Sequence, residues 1–268
     1  MKNILLFILL LSLAALAPDA KTPAQDAVAS MPAYKRSVKA PDFHPLELIN
    51  GSPTAILTQA QCDDYHETEL DEQKDLASCK SASKSYKELA KRAQTAVGIP
   101  HYRQLPAVKF GPKDIKKFRK SQCVSTARTC WTAMIFNEYA LNSTTYGERV
   151  HTACHEAVHI LHNDAFWKYI VFYYLFEHDN GLTKQQQNEI YERLVYCQEQ
   201  RADIDGAYAT DCEHCVREAS QRICSETNTS QEAQCFFKKG YASRETLLKI
   251  ADDLKGHCCP HHKKPVNK

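Results

Sequence analysis

The sequence predicts an all-α fold: a disulfide-rich multi-helix bundle of about seven helices behind a flexible N-terminal leader. Three observations carry that expectation. Glycine is scarce, at 8 of 268 residues. Apolar residues recur at three- and four-residue steps, while period-two alternation is almost absent. The 12 cysteines, an even number, supply the staples.

Residues 1–17 read as a secretory signal, with Lys2 as the basic end, an apolar run from Ile4 to Leu13, and Ala15-Leu16-Ala17 as the cleavage pattern. That run is too short to span a bilayer, and no later one reaches roughly 18 uninterrupted apolar residues, so no membrane span is expected. Pro18, Pro23, Pro32, Pro41 and Pro45 mark 18–52 as a Pro-rich flexible leader or a strap over the body. Lys35-Arg36 within it is a candidate processing site. The helical domain covers 53–256, any division into subdomains falling near 181, and 257–268 is a basic tail.

Within the domain, helices are expected over 54–65 and about 67–97, where Leu76, Cys79, Tyr86, Leu89 and Ala93 keep a helical rhythm ended by Gly98-Ile99-Pro100. After a loop over 106–111, Pro112 opens a helix over 113–139. The central helix, 148–180, contains neither Pro nor Gly. Thr183 and Gln186 form a capping box for a helix to about residue 200, followed by a loop over 203–211. Helices over 212–226, 231–239 and 243–255 complete the bundle, the second opened by Thr229 and Glu232.

An exported chain favours oxidised cysteines, so Cys62, Cys79, Cys123, Cys130, Cys154, Cys197, Cys212, Cys215, Cys224, Cys235, Cys258 and Cys259 are expected to form six disulfides. Cys212-x-x-Cys215 and Cys258-Cys259-Pro260-His261-His262 have spacings that would suit zinc in a reducing cell, but secretion assigns them to disulfides. Asn142-Ser143-Thr144 and Asn228-Thr229-Ser230 are glycosylation sequons in expected loops, at Asn142 and Asn228.

The central helix carries His151, His155, His159 and His162 on its flank. His155-Glu156-Ala157-Val158-His159 resembles the zincin metallopeptidase motif. The resemblance implies that His155 and His159 bind zinc and that Glu156 activates water. A third ligand would come from Glu189, with Glu199 and His162 as poorer candidates. No strand is evident upstream to hold substrate, and the histidines also suit a half-buried packing seam.

The main expectation is therefore a secreted binding protein without catalytic activity or cofactor: an effector, a pheromone-like protein or a small-ligand carrier. Its partner would be an extracellular protein or a small apolar ligand, met by Phe166, Trp167, Tyr169, Tyr173 and Tyr174. The alternative is a zinc-dependent metallopeptidase or amidase. A net charge of +2, and a basic run over 113–120 without interleaved aromatics beyond Phe118, exclude nucleic acid.

Overall fold

The computed structural model describes residues 36–49, 79–110, 127–130, 133–177, 179–223, 234 and 237–262. The signal stretch, most of the leader, the expected helix over 54–65, Cys62, Cys123, Cys224, Cys235, Asn228 and the basic run over 113–120 lie outside them. The described residues form seven α-helices and four short strands. The helices are α1 (Lys84–Ala96), α2 (Glu138–Leu141), α3 (Tyr146–Leu161), α4 (Asp164–Phe172), α5 (Lys184–Ala209), α6 (Glu213–Ser220) and α7 (Arg244–Asp253). The strands are β1 (Lys80–Ser81), β2 (Ala107–Lys109), β3 (Ala127–Thr129) and β4 (Met134–Phe136).

The fold is thus mixed α/β, which corrects the all-helical expectation. The sheet runs β1-β2-β4-β3, with β2 and β4 parallel and the other two pairings antiparallel. Strands of two or three residues are too short to display alternation. β4 is buried throughout, so Met134-Ile135-Phe136 reads as an apolar run instead of a one-sided pattern. β3 is an edge strand, pairing only with β4 among the described residues, and it lies against α3.

α3 is the central element: α1, α5, α6 and β3 all pack on it, and twelve of its residues are buried. It starts at a capping box, in which the Thr145 hydroxyl accepts from the Glu148 amide and the Glu148 side chain accepts from the Thr145 amide. It ends well before residue 180. Asn163 takes up the left-handed conformation (φ 54°, ψ 40°), which asparagine tolerates better than most residues, and the chain turns into α4. A π-helical turn, Tyr173–Glu177, follows.

α5 begins at the expected Thr183–Gln186 capping box but continues to Ala209, through residues read as a loop. The Asp-rich, Gly-containing stretch looks like a turn. Its Asp203 and Asp205 instead make specific contacts, and Gly206 is where α5 meets α3. The strap part of the leader crosses the body: Arg36 pairs with Asp205 at 2.9 Å, and Asp253 accepts from the Ser37 amide and hydroxyl.

Phe166, Trp167, Tyr169, Tyr173 and Tyr174 are half-buried. Trp167 packs edge-on against His44 of the strap, while Tyr173 and Tyr174 adjoin the core of Ile49, Val171, Leu175 and Leu194. Asn142 is exposed at the C-cap of α2, its Oδ1 accepting from the Tyr86 hydroxyl.

No disulfide bond is found among the described residues; Cys154, Cys197, Cys212, Cys215 and Cys259 are free thiols, against the expectation of a fully oxidised set. Cys154, expected to be in a disulfide, is buried in the core as a thiol, and burial pushes that thiol up to about 12. No helix among the described residues is long and apolar enough to cross a membrane.

Candidate metal centre

The site forms where α3 and α5 touch. A Cβ at Gly206 would lie 2.8 Å from the His155 nitrogen and 2.9 Å from its Cα, so only glycine permits this approach. Two pairs at helical i,i+4 spacing then face each other: His155 and His159 on α3, Glu199 and Asp203 on α5. His155 Nε2 and His159 Nε2 are 3.1 Å apart, and Glu199 Oε2 lies 3.2 and 3.6 Å from them. Tetrahedral bonds of about 2.0–2.2 Å separate ligand atoms by about 3.3–3.6 Å, so the three atoms, two of their separations slightly inside that range, converge closely enough to share one zinc-sized ion.

Outer partners fix the imidazoles in that orientation. His155 Nδ1 lies 2.6 Å from Asp203 Oδ1, and His159 Nδ1 lies 2.8 Å from Asp164 Oδ2. With Nδ1–H donated to each carboxylate, Nε2 is the atom that each ring turns toward Glu199, and it can ligate a metal once it gives up its proton. The left-handed turn at Asn163 is what folds Asp164 back beneath His159. Asp164 also accepts from Arg201 at 2.6 Å, and Asp203 from the Ala242 amide at 2.7 Å.

The electrostatics follow from this convergence. Burial opposes charging of His155, but Asp203 and Glu199 raise it well above its ordinary value. Burial likewise opposes charging of His159, which Asp164 and Glu199 raise. For Glu199 burial acts upward, and the hydrogen bonds to His155 and His159 hold it far below the usual carboxylate range. Without a metal the two imidazoles hold protons against the Glu199 carboxylate, and a bound cation would take the place of those protons.

This geometry corrects the expectation of a metal-free packing seam. Glu189 is not the third ligand: it is exposed, bonded to Gln185, and about 15 Å along α5 from Glu199 at 1.5 Å per residue. Glu199, ranked lower from sequence, occupies that place. The other two histidines stand aside. His151 Nε2 lies 3.4 Å from the Asp203 carbonyl, and burial with the nearby Arg201 charge pushes His162 down to about 4.

Glu156 is buried but anchored, its Oε2 accepting from the Thr129 hydroxyl on β3 at 2.7 Å. The expected absence of a strand beside the helix is therefore also corrected. Sequence reasoning passed over Tyr241 entirely. Its ring lies parallel to that of His155 at 6.0 Å, and burial with Glu199, Asp203 and Glu156 nearby raises its phenol, which keeps its proton at neutral pH.

A second group of potential ligands, Cys212, Cys215, Cys259 and His262, converges at the other end of α3. Fold and site together define a mixed α/β protein with a buried two-histidine, one-carboxylate cluster between two packed helices. The chain matches no protein-family model, and no curated protein or solved structure is significantly similar to it.

Proposed function

We propose that this protein is a zinc-dependent peptidase, in which His155, His159 and Glu199 hold the metal. The observation that carries the reading is the convergence of His155 Nε2, His159 Nε2 and Glu199 Oε2 within 3.1–3.6 Å of one another. Three protein ligands leave a fourth position for water, the pattern of catalytic and not structural zinc. Bound there, zinc supplies Lewis-acid polarisation of a carbonyl and lowers the pKa of bound water.

The chain's own residues supply the rest. Glu156 accepts a proton from the attacking water and returns it to the leaving nitrogen. Thr129 engages one of its carboxylate oxygens and so sets its direction. Tyr241 keeps a neutral hydrogen-bond donor beside Glu199. The signal-like stretch from Lys2 to Ala17 supports placing the enzyme among exported proteins.

The direct test is hydrolysis of a fluorogenic peptide library by the purified protein. Activity should vanish with phenanthroline and return with added zinc. A zinc-loaded protein that cleaves no peptide in the library would sink the reading.

Asp203→Asn is expected to weaken zinc binding by about 10–100-fold, measured by competition with a chromogenic chelator. Asp203 accepts on both oxygens, from the His155 ring and from the Ala242 amide. An asparagine satisfies only one of them. Either His155 changes tautomer and carries a proton toward the metal, or the Ala242 amide loses its acceptor. Unchanged affinity would show that Asp203 does not orient His155.

A further inference from the structure

We infer that Cys212, Cys215, Cys259 and His262 bind a second, structural zinc ion that seats the segment after α7 beneath the start of α3. The Cys215 and Cys259 sulfurs are 3.7 Å apart, and His262 Nδ1 lies 3.6, 3.7 and 3.4 Å from the sulfurs of Cys212, Cys215 and Cys259. Zinc–sulfur bonds of about 2.3 Å and zinc–nitrogen bonds of about 2.0–2.1 Å set tetrahedral edges of about 3.8 Å between sulfurs and 3.5–3.6 Å between sulfur and nitrogen. A disulfide would bring two sulfurs to about 2.05 Å. The observed spacings are those of a coordination shell.

Hydrogen-bond donors face the sulfurs of Cys212 and Cys259, whereas burial and the neighbouring thiols push Cys215 up, so a cation would be what makes all three thiolates. The Cys215 amide donates to Cys212 Sγ at 3.4 Å, and the His261 and His262 amides donate to Cys259. His262 Nε2 lies 3.4 Å from Glu218 Oε1, which holds the proton on that nitrogen and turns the Nδ1 lone pair to the sulfurs. Three thiolates and one dication leave a net negative charge, and the Arg92 guanidinium, hydrogen-bonded to Cys259, stands against it. Cys212, Cys215 and Cys259 are buried, and four protein ligands leave no position for substrate, so the site is structural.

Its place in the fold gives it a task. Cys212 caps α6, Cys259 and His262 follow α7, and the His261 ring stacks on Tyr146 at 4.0 Å in the first turn of α3. At Gly147 a Cβ would lie 2.5 Å from the Cys215 carbonyl, so α3 rests directly on this knuckle. The ion thus fixes the near end of the helix whose far end carries His155 and His159. The inference stands independently of the peptidase reading.

Elemental analysis of the full-length protein, purified under reducing conditions, should find two zinc ions per chain, one for each ligand group. His155→Ala should lose one and keep the other, whereas Cys259→Ser should lose the ion of the thiolate site. Cobalt substitution separates them further. An intense near-ultraviolet thiolate-to-cobalt band should persist in His155→Ala and disappear in Cys259→Ser. His262→Cys preserves four ligands, so it should retain the band even if the serine variant does not fold. One zinc per chain that His155→Ala abolishes, with no thiolate band, would overturn the inference. So would a Cys215–Cys259 disulfide found by mass spectrometry in protein prepared without reductant. One zinc per chain that His155→Ala retains and Cys259→Ser abolishes would count against the peptidase reading and leave this one standing.

Discussion

Glu156→Gln is expected to lower peptide hydrolysis by about 10²–10⁴-fold while zinc content and fold stay unchanged. The substitution removes the basic oxygen but keeps an amide oxygen able to accept from the Thr129 hydroxyl, now 2.7 Å from Oε2. Nothing in the ligand shell is touched: the converging atoms belong to His155, His159 and Glu199. The loss should fall on kcat, because the carboxylate is needed when the proton moves, with KM little altered. The measurement is steady-state cleavage of one library peptide, with zinc quantified in the same preparation. A variant that keeps more than a tenth of wild-type kcat would mean that another group takes the proton, and Tyr241 would be the next residue to change.

What could be read from the chain was whatever lies close together in it. His155-Glu156-Ala157-Val158-His159 places two ligands and a base within five residues on one helix, so the pattern needs no knowledge of the fold. Glu199 lies on another helix, and only the packing of α5 on α3 brings it near. A signal was nonetheless present. Glu199 and Asp203 share an i,i+4 spacing within a stretch otherwise rich in Ala, Ile, Gly and Tyr, and charged groups embedded in so buried a sequence require partners. Reading 203–211 as a loop hid that pattern.

The strands were hidden for a different reason. β2, β3 and β4 are three residues each, held by neighbours across the sheet instead of by any periodicity of their own. The cysteines show how a general argument can override a local one. Export argues for disulfides, yet Cys212-x-x-Cys215 and Cys259-Pro260-His261-His262 each form a compact pair of donors whose backbone amides turn inward onto sulfur. A metal-bound thiolate is withdrawn from oxidation, so such a site is compatible with either compartment.

Arg201→Met is expected to cost about 3–5 kcal/mol of stability, the penalty for leaving a buried carboxylate without its cation. Asp164 is 1% exposed, and burial opposes its charge. His159 and Arg201 hold it ionised, with its pKa below the ordinary range. The contribution of that depressed pKa is present at neutral pH and is lost as the pH falls through the folded-state value, so the variant's deficit should shrink on acidification. Methionine fills much of the volume left over the Phe43 ring, where the guanidinium lies 4.8 Å from the centroid, so lost packing is a minor part of the cost. Urea unfolding of the zinc-loaded protein measures the change, and a loss below about 1 kcal/mol would contradict the account, since it would place the pair with solvent-screened surface bridges. The double variant Asp164→Leu with Arg201→Met removes both charges and should recover much of that stability. It should bind zinc more weakly than the wild type, because His159 Nδ1 then has no carboxylate at 2.8 Å to fix its tautomer. Stability and metal binding would part in that one protein, which separates the work Asp164 does for the core from the work it does for the site.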